Sequence, residues 1–378
     1  MGALGFLYSS NNSDTSIRGN FGIQDQRAAL QWTQKNIAAF GGNPNEVAIF
    51  GQSAGGCSIA THLISPLSKG LFNRALILSD PLALTYRDAS NQANLAEAFA
   101  KKASCPTSPL SDMETCIRQL PTEQLLEAQL AVQKDFWTDI SQINQLFLPW
   151  TPVLGTPDAP QKPIDAFSSG DFASAGIPIA INTVANEAVM FVWLVSAKPL
   201  GELEYNLLID GIYLKNHAEI KQQYPLPSNE TSDTRTHIAS IVTPSLFRCA
   251  GLHAARGMTS KGPVWVSEFN HIQSFAPTMW GPNYTECNSA VCHGSDLVEW
   301  FLPDVSAMGV EFTQEEVALG NSMQDFLVNF GRSNTGVWPQ FTNTSGDAAM
   351  LKTPAVQVIP NYDDAECAFW DKVGYDWY

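Results

Sequence analysis

The chain has 378 residues, of which 44% are hydrophobic and 15% charged, and its formal net charge is −16. That composition suits a large buried core and excludes a disordered chain, while the acidic balance argues against nucleic-acid and anionic-membrane partners, which need basic patches. No apolar run reaches the roughly 18 residues of a membrane-spanning helix, so no membrane span is expected.

The first stretch, Met1 to Tyr8, has neither the basic start nor the cleavage site of a signal peptide, and it reads as a core strand. Asn11 to Gly22 is polar and reads as a loop. Gln24 to Phe40 carries Ala28, Leu30, Trp32, Ile37 and Phe40 at helical spacing, and Gly41-Gly42-Asn43-Pro44 stops it. A strand follows from Val47, then a small-residue helix start at Gly56. Ala75 to Leu78 is a second buried strand, and Asn91–Ser104 and Leu120–Asp135 are expected helices. Pro149 to Pro163 is loop, and Ile177 to Ile181 is of strand length. Leu200 to Phe247 reads as largely helical and Val264 to Phe269 as a strand. Gln314 to Phe330 is a long helix ending at Gly331, and the tail from Trp338 holds short strands and a final helix. Strands alternating with helices predict an α/β fold, a mostly parallel sheet covered on both faces.

The stretch Val47-Ala48-Ile49-Phe50-Gly51-Gln52-Ser53-Ala54-Gly55-Gly56 runs four apolar residues straight into Gly-x-Ser-x-Gly. This is the pattern of a nucleophile elbow, with Ser53 at the tip of a sharp turn between a buried strand and a helix. Side chains at positions 51 and 55 are expected to collide with the neighbouring strand and helix. The helix start points free N–H groups at the serine, and the Ala54 N–H is placed to be one donor to a developing oxyanion.

A serine nucleophile needs a histidine base, and the histidine needs a carboxylate to hold its tautomer. Of the six histidines, His62 lies in the elbow helix, too close after Ser53 for the usual Ser–acid–His order, and His217, His237 and His253 fall in helical or polar stretches. His293, in a glycine-bearing loop after the last strong strand, and His271, directly after that strand, both remain candidates. For the acid, Glu187 lies just beyond the Ile177–Ile181 strand, on the edge where sites form in open α/β sheets; it reads equally as a surface glutamate capping the next helix. Only Cys287, Cys292 and His293 cluster at metal-ligand spacing, and they read better as a bridge beside a catalytic base; no glycine-rich phosphate cradle occurs, so neither a metal nor another cofactor is expected.

The seven cysteines suggest three bridges and one buried thiol. Cys105 and Cys116 bracket a short polar loop, Cys287 and Cys292 lie five apart, and Cys249 and Cys367 could close a long loop, which leaves Cys57; six cysteines allow fifteen connectivities. Asn-x-Ser/Thr sequons start at Asn11, Asn229, Asn283 and Asn343. With the cysteines they favour a secreted protein.

Three longer runs resemble the type-B carboxylesterase/cholinesterase family: Gly19-Asn20-Phe21-Gly22-Ile23-Gln24-Asp25-Gln26-Arg27-Ala28-Ala29-Leu30-Gln31-Trp32, then Asn36-Ile37-Ala38-Ala39-Phe40-Gly41-Gly42-Asn43-Pro44, then the elbow. The resemblance continues at Leu71-Phe72-Asn73-Arg74-Ala75, Asn182-Thr183-Val184-Ala185-Asn186-Glu187, Val291-Cys292-His293-Gly294 and Cys367-Ala368-Phe369-Trp370. It implies one α/β-hydrolase domain over residues 1–378 and hydrolysis of small-molecule carboxylic esters through an acyl-enzyme. It implies Ser53 as nucleophile, Glu187 as acid and His293 as base, a structural place for His271, the bridges Cys105–Cys116, Cys249–Cys367 and Cys287–Cys292, and Ser79 close behind the histidine. Gln52 stands where the family usually has Glu, which disfavours a strong preference for cationic choline esters. The family's first strands and its His-Gly-Gly oxyanion loop have no counterpart here, so the domain reads as N-terminally incomplete. The alternative is a truncated or non-catalytic binding module with little activity.

Overall fold

The computed structural model describes residues 2–10, 16–136, 148–333 and 337–376. The apolar runs become β1 (Ala48–Gln52), β2 (Arg74–Leu78), β3 (Ile179–Val184), β4 (Val264–Phe269) and β5 (Ala348–Leu351), all parallel, with β6 (Gln357–Ile359) added antiparallel. The strands lie in chain order, so each helical crossover advances the sheet by one strand. The expected sheet is thus present.

Successive side chains of a strand point to opposite faces, and here the two sets feed two cores. Ala75, Ile77, Ile179, Ile181, Val264 and Val266 face a cluster with Ile59, Leu63 and the helix Cys249–Met258. Leu76, Leu78, Ala180, Val184, Trp265 and Phe269 face a second cluster closed by the helix Gln314–Ser333. There Phe326 stacks on Trp338 with ring centroids 4.1 Å apart, and Phe330 meets Trp265 edge-on. Every residue of β2, β3 and β4 is buried, which is why Ala75–Leu78, Ile179–Ile181 and Val264–Val266 read as continuous apolar runs rather than alternating ones.

Helix α1 (Gly2–Phe6) replaces the core strand expected over Met1–Tyr8. A short apolar run does not reveal its own period. Here it has helices to dock on: Ala3 N–H donates to Gln129 Oε1 at 2.7 Å, and Ala3 and Leu7 pack with Leu95, Phe99, Ile117 and Val132. Extended backbone survives only at Tyr8, which bridges Arg18. Helix α2 (Phe21–Asn36) starts three residues before the expected boundary, and residues Ile37–Phe40 are 3-10. Trp32 of α2 and Phe40 of the 3-10 turn meet in a tilted ring contact at the surface instead of entering the core. The Cys105–Cys116 span is not simply a loop, because Leu110–Gln119 is helical and Cys116 lies within it. The long helix does not stop at Gly331 but runs to Ser333, since that glycine is not left-handed and nothing crowds it.

The three bridges present are Cys105–Cys116, Cys249–Cys367 and Cys287–Cys292, and Cys57 is free and buried. The second spans 118 residues and ties the helix Cys249–Met258 to the helix Asp364–Val373. Replacing both Cys249 and Cys367 by Ala is expected to lower unfolding stability by about 2–5 kcal/mol, because the unfolded chain regains the freedom of a long loop. Denaturant titration of the variant against the parent checks this; a midpoint within error of the parent's contradicts it.

Candidate active site

β1 ends at Gln52, and the chain turns through Ser53 into α3 (Ala54–Ile64). Ser53 sits at φ 58°, ψ −119°, a conformation that L residues avoid unless the surroundings impose it. Here its N–H donates to Leu78 O at 2.9 Å and its carbonyl accepts from Cys57 N–H at 3.0 Å. Gly51 is required: a Cβ there would lie 2.6 Å from the backbone of Gly55. Gly55 itself has open space, contrary to expectation, since a Cβ there would meet nothing within 4 Å; the crowded position is Gly56, whose Cβ would meet Asp80 at 3.0 Å and Leu78 O at 3.2 Å. The Ser53 hydroxyl makes no capping bond to α3. Ala54 is exposed, and as the first residue of α3 its N–H has no intrahelical acceptor.

Across the C-terminal edge of the sheet, β3 leads into Asn186 and Glu187. Glu187 is completely buried, so it is not a surface cap. Its Oε1 accepts from Val184 N–H at 2.8 Å, and its Oε2 accepts from His293 Nδ1 at 2.6 Å. The histidine loop is tied to the glutamate loop twice: Asn186 N–H donates to Val291 O, and Val291 N–H donates to Asn186 Oδ1. The Cys287–Cys292 bridge holds the same loop from its other side. The rings of Phe191 and Phe247 lie 4.9 and 5.5 Å from the imidazole and close it off from water. On its far side His293 Nε2 meets Gln52 Nε2 at 3.0 Å.

The other histidines are occupied elsewhere. His62 is buried between Ser68 and Gln26, and burial beside Arg27 lowers its pKa to about 4. His271 is bound by Glu316 through Nε2 and by Thr353 through Nδ1. His217 pairs with Asp210, His253 with Asp371, and His237 meets Tyr224 O.

Ser79 is buried at the end of β2 with φ 50°; its N–H donates to Asn182 O, and its hydroxyl has no hydrogen-bond partner among the described residues. Below it, Cys57 Sγ donates to Asp80 Oδ1 at 3.0 Å, and burial raises the Asp80 pKa to about 7. A second buried network was not foreseen. Asp296 accepts from Asn182 Nδ2 and Trp300 Nε1, Ser267 donates to Asn182, and Gln273 donates to Glu299. Burial first, then the Glu187 charge, raises the Asp296 pKa to about 7, and burial raises that of Glu299 to about 8. The available signal was Asn182 and Ser267, polar residues inside apolar strands, together with Asp296 three positions after His293. Among the described residues no three His, Cys, Asp or Glu side chains group to hold a metal ion.

The sequence profile of the carboxylesterase family matches residues 1–370. Crystal protein of Dictyostelium discoideum is 28% identical over 100% of this chain and 68% of its own length. Cocaine esterase of Homo sapiens is 27% identical over 94% of this chain and 62% of its own, and liver carboxylesterase 1 of Oryctolagus cuniculus is 29% identical over 99% and 67%. The chain thus spans about two thirds of the length of these relatives. A solved thermophilic PNB esterase superposes with a TM-score of 0.78 at 26% identity, covering 98% of this chain and 72% of the other. The chain belongs to the carboxylesterase family and is a carboxylesterase-type hydrolase of the α/β-hydrolase fold.

Proposed function

We propose that this chain hydrolyses small-molecule carboxylic esters through an acyl-enzyme on Ser53, with His293 as base and Glu187 as the carboxylate that orients it. The observation that carries this reading is the Glu187 Oε2–His293 Nδ1 contact of 2.6 Å between two buried side chains on the sheet edge where the strained Ser53 turn ends. A carboxylate accepts only, so the imidazole proton sits on Nδ1 and Nε2 carries the lone pair that must take the serine proton. His293 removes the hydroxyl proton as Ser53 Oγ bonds to the ester carbon. The carbonyl oxygen becomes an oxyanion next to the Ala54 N–H at the start of α3. Collapse breaks the C–O bond of the alcohol, which leaves with the proton from Nε2. Water, deprotonated by the same nitrogen, then releases the acid and restores Ser53.

Asn229, Asn283 and Asn343 are exposed and stand as proposed glycan acceptors, and Asn11 lies outside the described residues. Exposed sequons and three bridges support a secretory setting.

The test is covalent labelling by a fluorophosphonate. Expected is one adduct on Ser53, found by peptide mass spectrometry and absent in Ser53→Ala. Folded protein that takes no label, or takes it equally in the variant, refutes the reading.

A further inference from the structure

Both ring nitrogens of His293 are engaged. Nδ1 faces Glu187 Oε2 at 2.6 Å, and Nε2 faces the amide nitrogen of Gln52 at 3.0 Å. An amide nitrogen can only donate, so the Nε2 lone pair already accepts a hydrogen bond from Gln52. That lone pair is the one that must accept the Ser53 proton. Gln52 is the residue immediately before Ser53, at the end of β1, so the strand that delivers the nucleophile also delivers a competitor for its base. The approach is close: Gly294, at φ 85°, follows the histidine, and a Cβ there would lie 3.6 Å from Gln52 Nε2.

We propose that Gln52 caps the base in the resting site: its amide N–H holds His293 Nε2, and the amide must swing away before Ser53 can hand over its proton. The inference rests on the triad reading above. It makes Gln52 a residue that sets reactivity, beyond being a neutral stand-in for a carboxylate. Alanine removes the cap without replacing it. Glutamate removes the donor and puts a negative charge against Nε2, which favours the protonated ring. The charged or titratable groups that already face this region are Glu187 from the β3 loop and Asp296 from the turn after His293; Phe191 and Phe247 present no charge.

The experiment measures the rate of fluorophosphonate labelling of Ser53 against pH in the full chain and its Gln52→Ala and Gln52→Glu variants. Losing one hydrogen bond to the resting base should speed labelling in Gln52→Ala by roughly 2- to 12-fold. The acid limb of the Gln52→Glu profile should move up by about one to three pH units. An unchanged or slower rate in Gln52→Ala, or an unshifted limb in Gln52→Glu, overturns the cap. A second readout needs no activity: the 15N resonance of His293 Nε2 in the unreacted protein must move on Gln52→Ala, and a fixed resonance also overturns the proposal. Absent or Ser53-independent labelling would refute the triad reading, and the resonance would still decide the cap.

Discussion

Replacing Glu187 by glutamine is expected to lower kcat for a p-nitrophenyl ester by about 10⁴-fold with little change in KM. The substitution keeps the shape, and the amide oxygen can still accept from Val184 N–H, which Glu187 Oε1 now does at 2.8 Å. The amide nitrogen then faces His293 Nδ1 where Oε2 stands now, and two donors cannot share that line. The ring must move its proton to Nε2, turning away the Gln52 amide N–H that faces it, which leaves no lone pair for the Ser53 proton. Loss of the correct tautomer costs about this factor in comparable triads. Removing the Glu187 charge also relieves Asp296, whose pKa it helps to raise, so the folded state should survive. Thermal unfolding of the variant beside the parent checks that, and a kcat loss under about tenfold in folded protein would remove Glu187 from the mechanism.

The second large effect is on stability. Between about pH 6.5 and 8.5 the chain is expected to become less stable by a few kcal/mol as pH rises. Asp80 and Asp296, with pKa values of about 7, and Glu299, at about 8, still hold protons in the folded state, whereas in the unfolded chain they ionise near their ordinary values of 3.8 and 4.5. Burial is the main cause for all three, since a charge there loses its water. The folded state binds more protons than the unfolded state through this window, so their contribution is present at low pH and fades as pH climbs through the folded values. His62 acts the other way, its pKa lowered from 6.5 to about 4, but its contribution is nearly complete by pH 6.5. The measurement is denaturant unfolding at both pH values for the parent and for Asp80→Asn with Glu299→Gln. The parent should lose stability and the double variant should lose markedly less; a parent stability that is flat or rising across this range contradicts the assignment.

β2, β3 and β4 were legible because a strand buried on both faces is mostly apolar, and the runs Ala75–Leu78, Ile179–Ile181 and Val264–Val266 record that directly. The elbow was legible because the turn tolerates so few side chains: Gly51 has backbone at 2.6 Å from where its Cβ would stand. The same logic does not separate Gly55 from Gly56, since the motif shows which residues are small but not which one the end of β2 crowds. The helix at Gly2–Phe6 was missed because five apolar residues carry no readable period, and helices α4 (Ala89–Lys102), α5 (Leu110–Gln119) and α6 (Thr122–Phe136) supply the partners that decide it.

For the site, the chain's order and its residue types narrowed the acid and base to Glu187 with His293 or His271. Spacing could not choose between the histidines, because each is made by contacts far away in sequence. Glu316 and Thr353 hold His271, while Asn186 and Val291 bring His293 to Glu187 across 106 positions. What the sequence determined by itself was the sheet, the serine at its turn and the short list of partners, since each depends on local sterics and burial. The tertiary structure alone decided the meeting of Glu187 with His293, the Gln52 amide on Nε2 and the protonated carboxyls beneath, because hydrogen bonds and desolvation depend on distances that no local pattern encodes.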